Sequence, residues 1–110
     1  MVVGSGPGAI GPDTAGSVRI PAALSGCVGY KPTRGRVSLA GVMPLAPSLA
    51  HVGSLGRTVE DAAALVDAVA GPDAADPGTR PWETAPERQD VRELSAGVLG
   101  GWFTQLLHPG

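Results

Sequence analysis

The stretch Asp13-Thr14-Ala15-Gly16-Ser17-Val18-Arg19-Ile20-Pro21-Ala22 sets one serine behind a bend of small residues and at the head of a predicted helix. A hydroxyl placed there can act as a nucleophile. Glycine opens backbone conformations closed to other residues, and amide N–H groups left free at a bend can converge on a developing oxyanion. From local pattern alone, the commoner use of such a serine is as an N-cap, its side-chain oxygen accepting an N–H of the first turn.

Just after this bend, residues 18–26 read as two turns of helix with Pro21 in the first turn, where its missing N–H and fixed φ do little harm, and with Gly26 or Gly29 closing it. Residues 1–12, with glycines at 4, 6, 8 and 11, read as a short strand or frayed end entering a loop. Residues 30–35 read as a turn, 36–39 as a strand, and the proline-broken apolar run 41–52 as an ordered loop packed on the body. The clearest helix covers residues 58–70: Thr58 and Asp61 make a capping box, and Val59, Ala62, Ala63, Val66, Val69 and Ala70 fall on one stripe. Gly71 and Pro72 stop it. Residues 72–90 are rich in Pro, Asp, Glu and Arg and read as a solvated surface connection, and 94–103 as a returning strand.

Composition narrows the function classes. A chain of 110 residues, 43% hydrophobic and 16% charged, can bury one modest core and calls for no second domain. A formal net charge of −2 without a basic block gives no electrostatic reason for a nucleic-acid or anionic-membrane partner. The single cysteine, Cys27, cannot form an internal disulfide and fits a reducing, cytoplasmic setting. No apolar run approaches the roughly 18 residues that span a bilayer.

Two further patterns carry less. Gly6, Gly8 and Gly11 satisfy G-x-G-x-x-G, but Pro12 and Asp13 follow where a helix should open, and no acid lies between Asp13 and Glu60. His51 and His108 invite a Ser–His pairing with Ser17, yet no G-x-S-x-G elbow is present, so they read as a loop histidine and a tail histidine. One cysteine and two distant histidines supply no metal-ligand spacing.

The run from Asp13 to Ala23, then Gly26-Cys27-Val28-Gly29-Tyr30-Lys31-Pro32-Thr33-Arg34-Gly35-Arg36-Val37, then Gly53-Ser54-Leu55-Gly56-Arg57-Thr58-Val59-Glu60-Asp61-Ala62-Ala63, resembles the amidase signature family. The likeness is close over residues 8–71 and extends loosely to Trp102 through Gly97-Val98-Leu99. It implies an α/β fold, a fragment of the family's mixed sheet flanked by helices, so that residues 1–110 form a partial amidase domain. Members hydrolyse carboxylic amides, or transfer ammonia in glutamyl-tRNA amidotransferase, with a nucleophilic serine, a second serine preceded by a cis peptide bond, and a lysine. By this resemblance Ser17 is the nucleophile, which reverses the preference for a cap. The backbone amides of Thr14, Ala15, Gly16 and Ser17 match the oxyanion hole, where loss of one donor costs roughly 3 kcal/mol of transition-state stabilisation. Asp13 and Arg19 are expected to pair and hold the bend. No cofactor is implied.

The departures from the family pattern are informative. The family's catalytic lysine and bridging serine lie well upstream of the nucleophile, whereas the one lysine here, Lys31, follows Ser17, and Ser5 stands too close to it. The chain therefore resembles an interior segment, expected to be inactive or nearly so alone. Pro12 replaces a usual serine or threonine and removes an N–H. Ala15 replaces a usual glycine, at a cost of about 1 kcal/mol if the position needs positive φ. Ala50 stands where many members carry aspartate. Strands cut from a larger sheet leave edges and apolar faces unpaired, so a protein partner or self-association is expected besides a small-molecule amide. The rival reading is a noncatalytic remnant, or a subunit that completes another amidase chain.

Overall fold

The computed structural model describes residue 4, residues 6–79 and residues 92, 94, 95, 97, 98, 100 and 101. Within them the chain runs β1 (Gly8–Asp13), α1 (Arg19–Ser25), β2 (Val28–Tyr30), β3 (His51–Gly56) and α2 (Val59–Val69). The strands form one sheet in the order β1-β3-β2, antiparallel at both pairings, so the described part is α/β.

Strand β1 lies in the glycine-rich segment that local propensity reads largely as loop. It forms because all six of its residues find partners on β3, from Gly8 opposite Gly56 to Asp13 opposite His51. The glycines suit an overlying helix: a Cβ on Gly56 would sit 2.6 Å from the Ala62 nitrogen of α2, and one on Gly8 would run into Leu65. Tertiary packing thus overrides β-propensity at these positions. Pro12, opposite Val52, is tolerated because β1 is an edge of the three strands.

Helix α2 follows its local signals. The Thr58 hydroxyl accepts from the Asp61 N–H at 3.1 Å, and the Asp61 carboxylate accepts from the Thr58 N–H at 3.3 Å. Ala62 and Val66 are buried, and Val66 packs with Val37 and Val52 against Leu39, Val42 and Ala70 to form the core. The predicted stripe is too wide at its ends, since Val59 and Val69 are exposed. Helix α1 ends at Gly26, whose φ of 65° is the left-handed cap that favours glycine.

Four expectations are corrected. The strand over 36–39 reduces to a single bridge between Val37 and Ala70. Beyond it, side chains take the backbone's place: the Leu39 N–H donates to Asp76 at 2.8 Å and the Ser38 hydroxyl to Asp73 at 2.6 Å. The loop over 41–52 ends at Ala50, and His51 already belongs to the central strand. The start of the 72–90 connection is folded back on itself, with Asp73, Asp76 and Thr79 satisfying one another's backbone groups. Residues 80–90 lie outside the described residues, as do 96, 99, 102 and 103 of the strand expected over 94–103; its described positions, 94, 95, 97, 98, 100 and 101, are not strand.

Candidate active site around Ser17

Asp13 ends β1 with its side chain wholly buried. A carboxylate so placed needs donors on both oxygens. Oδ1 accepts from the Gly16 N–H at 3.0 Å, from Arg19 Nη2 at 3.1 Å and from Lys31 Nζ at 2.9 Å. Oδ2 accepts from Arg19 Nε at 3.0 Å and from the N–H groups of Val18 and Arg19, both at 3.3 Å. The hydrogen bond from Arg19 is the main cause that holds the Asp13 carboxyl far below the usual carboxylate range; burial opposes it, and Lys31 and the two amides add to it. In return Asp13 raises the pKa of the Arg19 guanidinium. One carboxylate between two cations leaves the cluster with a net charge of +1 beneath the loop.

The short run between Asp13 and α1 is shaped by these bonds. Asp13, not Ser17, caps the start of α1: the N-cap residue is Val18, and it makes no side-chain cap bond. Ser17 is exposed, and its hydroxyl has no hydrogen-bond partner among the described residues. Gly16 is buried with φ of 129°, a conformation that side chains disfavour. Ala15 is exposed, and no described non-glycine residue has positive φ, so the alanine that replaces the usual glycine carries no backbone strain.

The amides expected to form one cradle divide. The Gly16 N–H is taken by Asp13, which corrects its place among the free donors: a buried carboxylate claims the nearest amide before any ligand can. The N–H groups of Thr14, Ala15 and Ser17 have no acceptor among the described residues. Lys31, given no site role by the sequence reading, joins the cluster from the end of β2: besides Asp13, its Nζ donates to the Thr14 carbonyl at 3.1 Å. Its distance along the chain hid it. His51, by contrast, is held by the Leu49 carbonyl at 2.8 Å, and His108 lies outside the described residues. The G-x-G-x-x-G glycines fall on or just before β1, with no helix opening at Gly11.

The whole arrangement has relatives. A model of the Amidase family matches residues 2–109. The chain belongs to the Amidase family. This amidase segment is 43% identical to AtzE, a 1-carboxybiuret hydrolase subunit of a Pseudomonas species, over 94% of its own length and 23% of the relative's. It is 44% identical to a glutamyl-tRNA(Gln) amidotransferase subunit of Methanosarcina acetivorans, over its full length and 24% of the relative's. Among solved structures, the corresponding amidotransferase subunit of Thermotoga maritima superposes with a TM-score of 0.68 at 47% identity, covering 70% of this chain and 17% of that one. A structure described as a vestigial protein complex that reveals the origins of an s-triazine catabolic enzyme superposes with a TM-score of 0.82 at 43% identity, covering 94% and 23%. The chain thus spans about a quarter of the length of the curated relatives it matches.

Among the described residues, no helix is long and apolar enough to cross a membrane.

Proposed function

We propose that this amidase segment supplies the nucleophile and the anion-stabilising loop for cleavage of carboxylic amide C–N bonds. The observation that carries the reading is exposed Ser17, whose hydroxyl has no partner among the described residues, on a loop whose Thr14, Ala15 and Ser17 amides also find no acceptor there and whose underlying cluster bears net positive charge. In the proposed reaction the Ser17 oxygen attacks the amide carbonyl carbon while its proton leaves to a base. The carbonyl oxygen gains negative charge and is met by the free amides. Collapse of the tetrahedral intermediate breaks the C–N bond and releases the amine with a proton, leaving an acyl ester on Ser17. Water then hydrolyses that ester and restores the serine.

The base lies outside these residues in this reading. Lys31 is engaged as a donor to Asp13 and Thr14, and His51 is held to Leu49, so neither is placed to take the proton. A lysine and second serine from further amidase polypeptide complete the relay, as the resemblance implies. Two relatives bear the names of subunits, which supports a chain that works with a partner protein as well as a small amide substrate. Neither nucleic acid nor membrane enters the proposal, and unpaired Cys27 fits a cytoplasmic setting.

A fluorophosphonate that phosphonylates activated serines with loss of fluoride tests this, with Ser17 occupancy read by mass spectrometry. Labelling is expected to be slow for the chain alone and fast once the rest of an amidase chain is supplied. Fast amide hydrolysis by the chain alone, lost in Ser17→Ala, would refute the incomplete relay; absence of labelling in both settings would refute the nucleophile. The rival reading, a noncatalytic module that binds another amidase chain, draws on Leu24, Met43 and Leu45, which are 84%, 88% and 81% exposed. It predicts stable association without any Ser17 reactivity.

A further inference from the structure

We infer that Lys31 is a positioning residue for this site: by gripping the Thr14 carbonyl from below, it turns the Ala15 N–H toward the open side of the loop, where an oxyanion would bind. The inference rests on the proposed role of Ser17 and extends it to a residue in another element. A trans peptide is planar, and its C=O and N–H point in opposite directions. Lys31 Nζ holds the Thr14 oxygen at 3.1 Å, so the N–H of the same peptide unit, that of Ala15, faces away from Lys31. It meets no acceptor among the described residues, and Ala15 itself is exposed.

The neighbouring peptide units are fixed by the same logic. The Gly16 N–H points inward to Asp13 at 3.0 Å. The Gly16 carbonyl accepts from the Ile20 N–H at 2.7 Å, which turns the Ser17 N–H away from α1. Asp13 thus orients one peptide and the start of α1 a second, and neither orients the Thr14–Ala15 unit. Among the described residues Lys31 alone holds that one, and it can do so because its Nζ also donates to the Asp13 carboxylate at 2.9 Å with the side chain only 17% exposed. A cation on the carbonyl also polarises the peptide and makes its N–H a stronger donor. Charge neutralisation of Asp13 would not need this geometry, since Arg19 already supplies a cation at 3.0 Å.

The test is NMR on the isotope-labelled 110-residue chain. In the unsubstituted protein a scalar coupling across the hydrogen bond between Lys31 Nζ and the Thr14 carbonyl carbon is expected; its absence would overturn the inference without any variant having to fold. In Lys31→Met the Ala15 amide resonance should move at least as far as that of Gly16, whereas a lysine that only balances Asp13 would move Gly16 and leave Ala15 in place. Phenylboronic acid supplies the second readout. The Ser17 oxygen forms a bond to boron, its proton passes to water, and the four-coordinate boron unit carries the negative charge, an equilibrium step that needs no relay. Lys31→Met should weaken this adduct about tenfold as followed by the boron resonance, the scale of one hydrogen bond to a charged group. Equal affinity together with an unmoved Ala15 amide would overturn the role of Lys31. If the unsubstituted chain forms no adduct, the reading of Ser17 falls instead, and the coupling and the Ala15 shift still decide how the Thr14–Ala15 peptide is held.

Discussion

Asp13 is the residue on which the site's geometry turns, and its titration sets an acid limit on the fold. Its carboxyl is held far below the usual range in the folded chain, chiefly by Arg19, while in the unfolded chain it titrates near pH 4. Below about pH 4 the unfolded chain therefore takes up a proton that the folded chain refuses, so stability is full above that pH and drains as the pH falls. Asp73, lowered by the Ser38 hydroxyl and the Ala75 amide, acts with the same sign. Urea unfolding between about pH 6 and pH 3 should show this slope, and Asp13→Asn should flatten it while costing about 3 kcal/mol at the upper end, as expected when a buried charge pair loses one member. At Gly16 the backbone is the issue. A Cβ there would lie 2.6 Å from Ile20 Cδ1, the end of a flexible and exposed side chain that can yield, but φ of 129° remains. Gly16→Ala should cost about 2 kcal/mol in the same assay.

Among the elements, α2 and α1 were legible in the sequence and the strands were not. Helix α2 carries its start signal, its apolar spacing and its stop within a short run of neighbours, so local chemistry suffices; Thr58→Ala should cost about 1 kcal/mol by removing the hydroxyl that accepts from Asp61. Strands β1 and β3 hold Gly8, Gly11, Gly53 and Gly56, which blur the alternation by which strands are read. Gly8, Gly53 and Gly56 are there for what passes close by: a Cβ on Gly53 would lie 2.5 Å from the Tyr30 carbonyl of β2. Inserting one with Gly53→Ala should destabilise the sheet more than Thr58→Ala destabilises the helix, since backbone has no rotamer by which to give way. Thermal melts of the two variants compare them directly.

Taken as one body, the described chain has a small core and a large apolar surface. Val37, Val52 and Val66 anchor the core cluster, while Ile20, Leu24, Met43, Leu45 and Leu49 are exposed. Contiguous apolar exposure marks surfaces that bind protein, which makes these side chains the ones to test. The isolated chain should associate with rising concentration in sedimentation velocity, and Leu24→Lys with Leu45→Lys should return it toward monomer without lowering its melting temperature. Both side chains are more than four-fifths exposed, so their loss removes little buried area.

Both helices and the family membership were written along the chain, because capping residues, apolar spacing and an ordered set of motifs act through near neighbours. The same holds for the meeting of Asp13 with Arg19, six positions away across a single bend. Folding in three dimensions was needed to pair glycine-rich segments as strands, to spend the Gly16 amide on a buried carboxylate, and to bring Lys31 into the cluster. Those outcomes depend on which backbone groups meet once β2 and α2 pack on the central strand, and hydrogen bonds between distant segments leave no periodic trace in the order of residues.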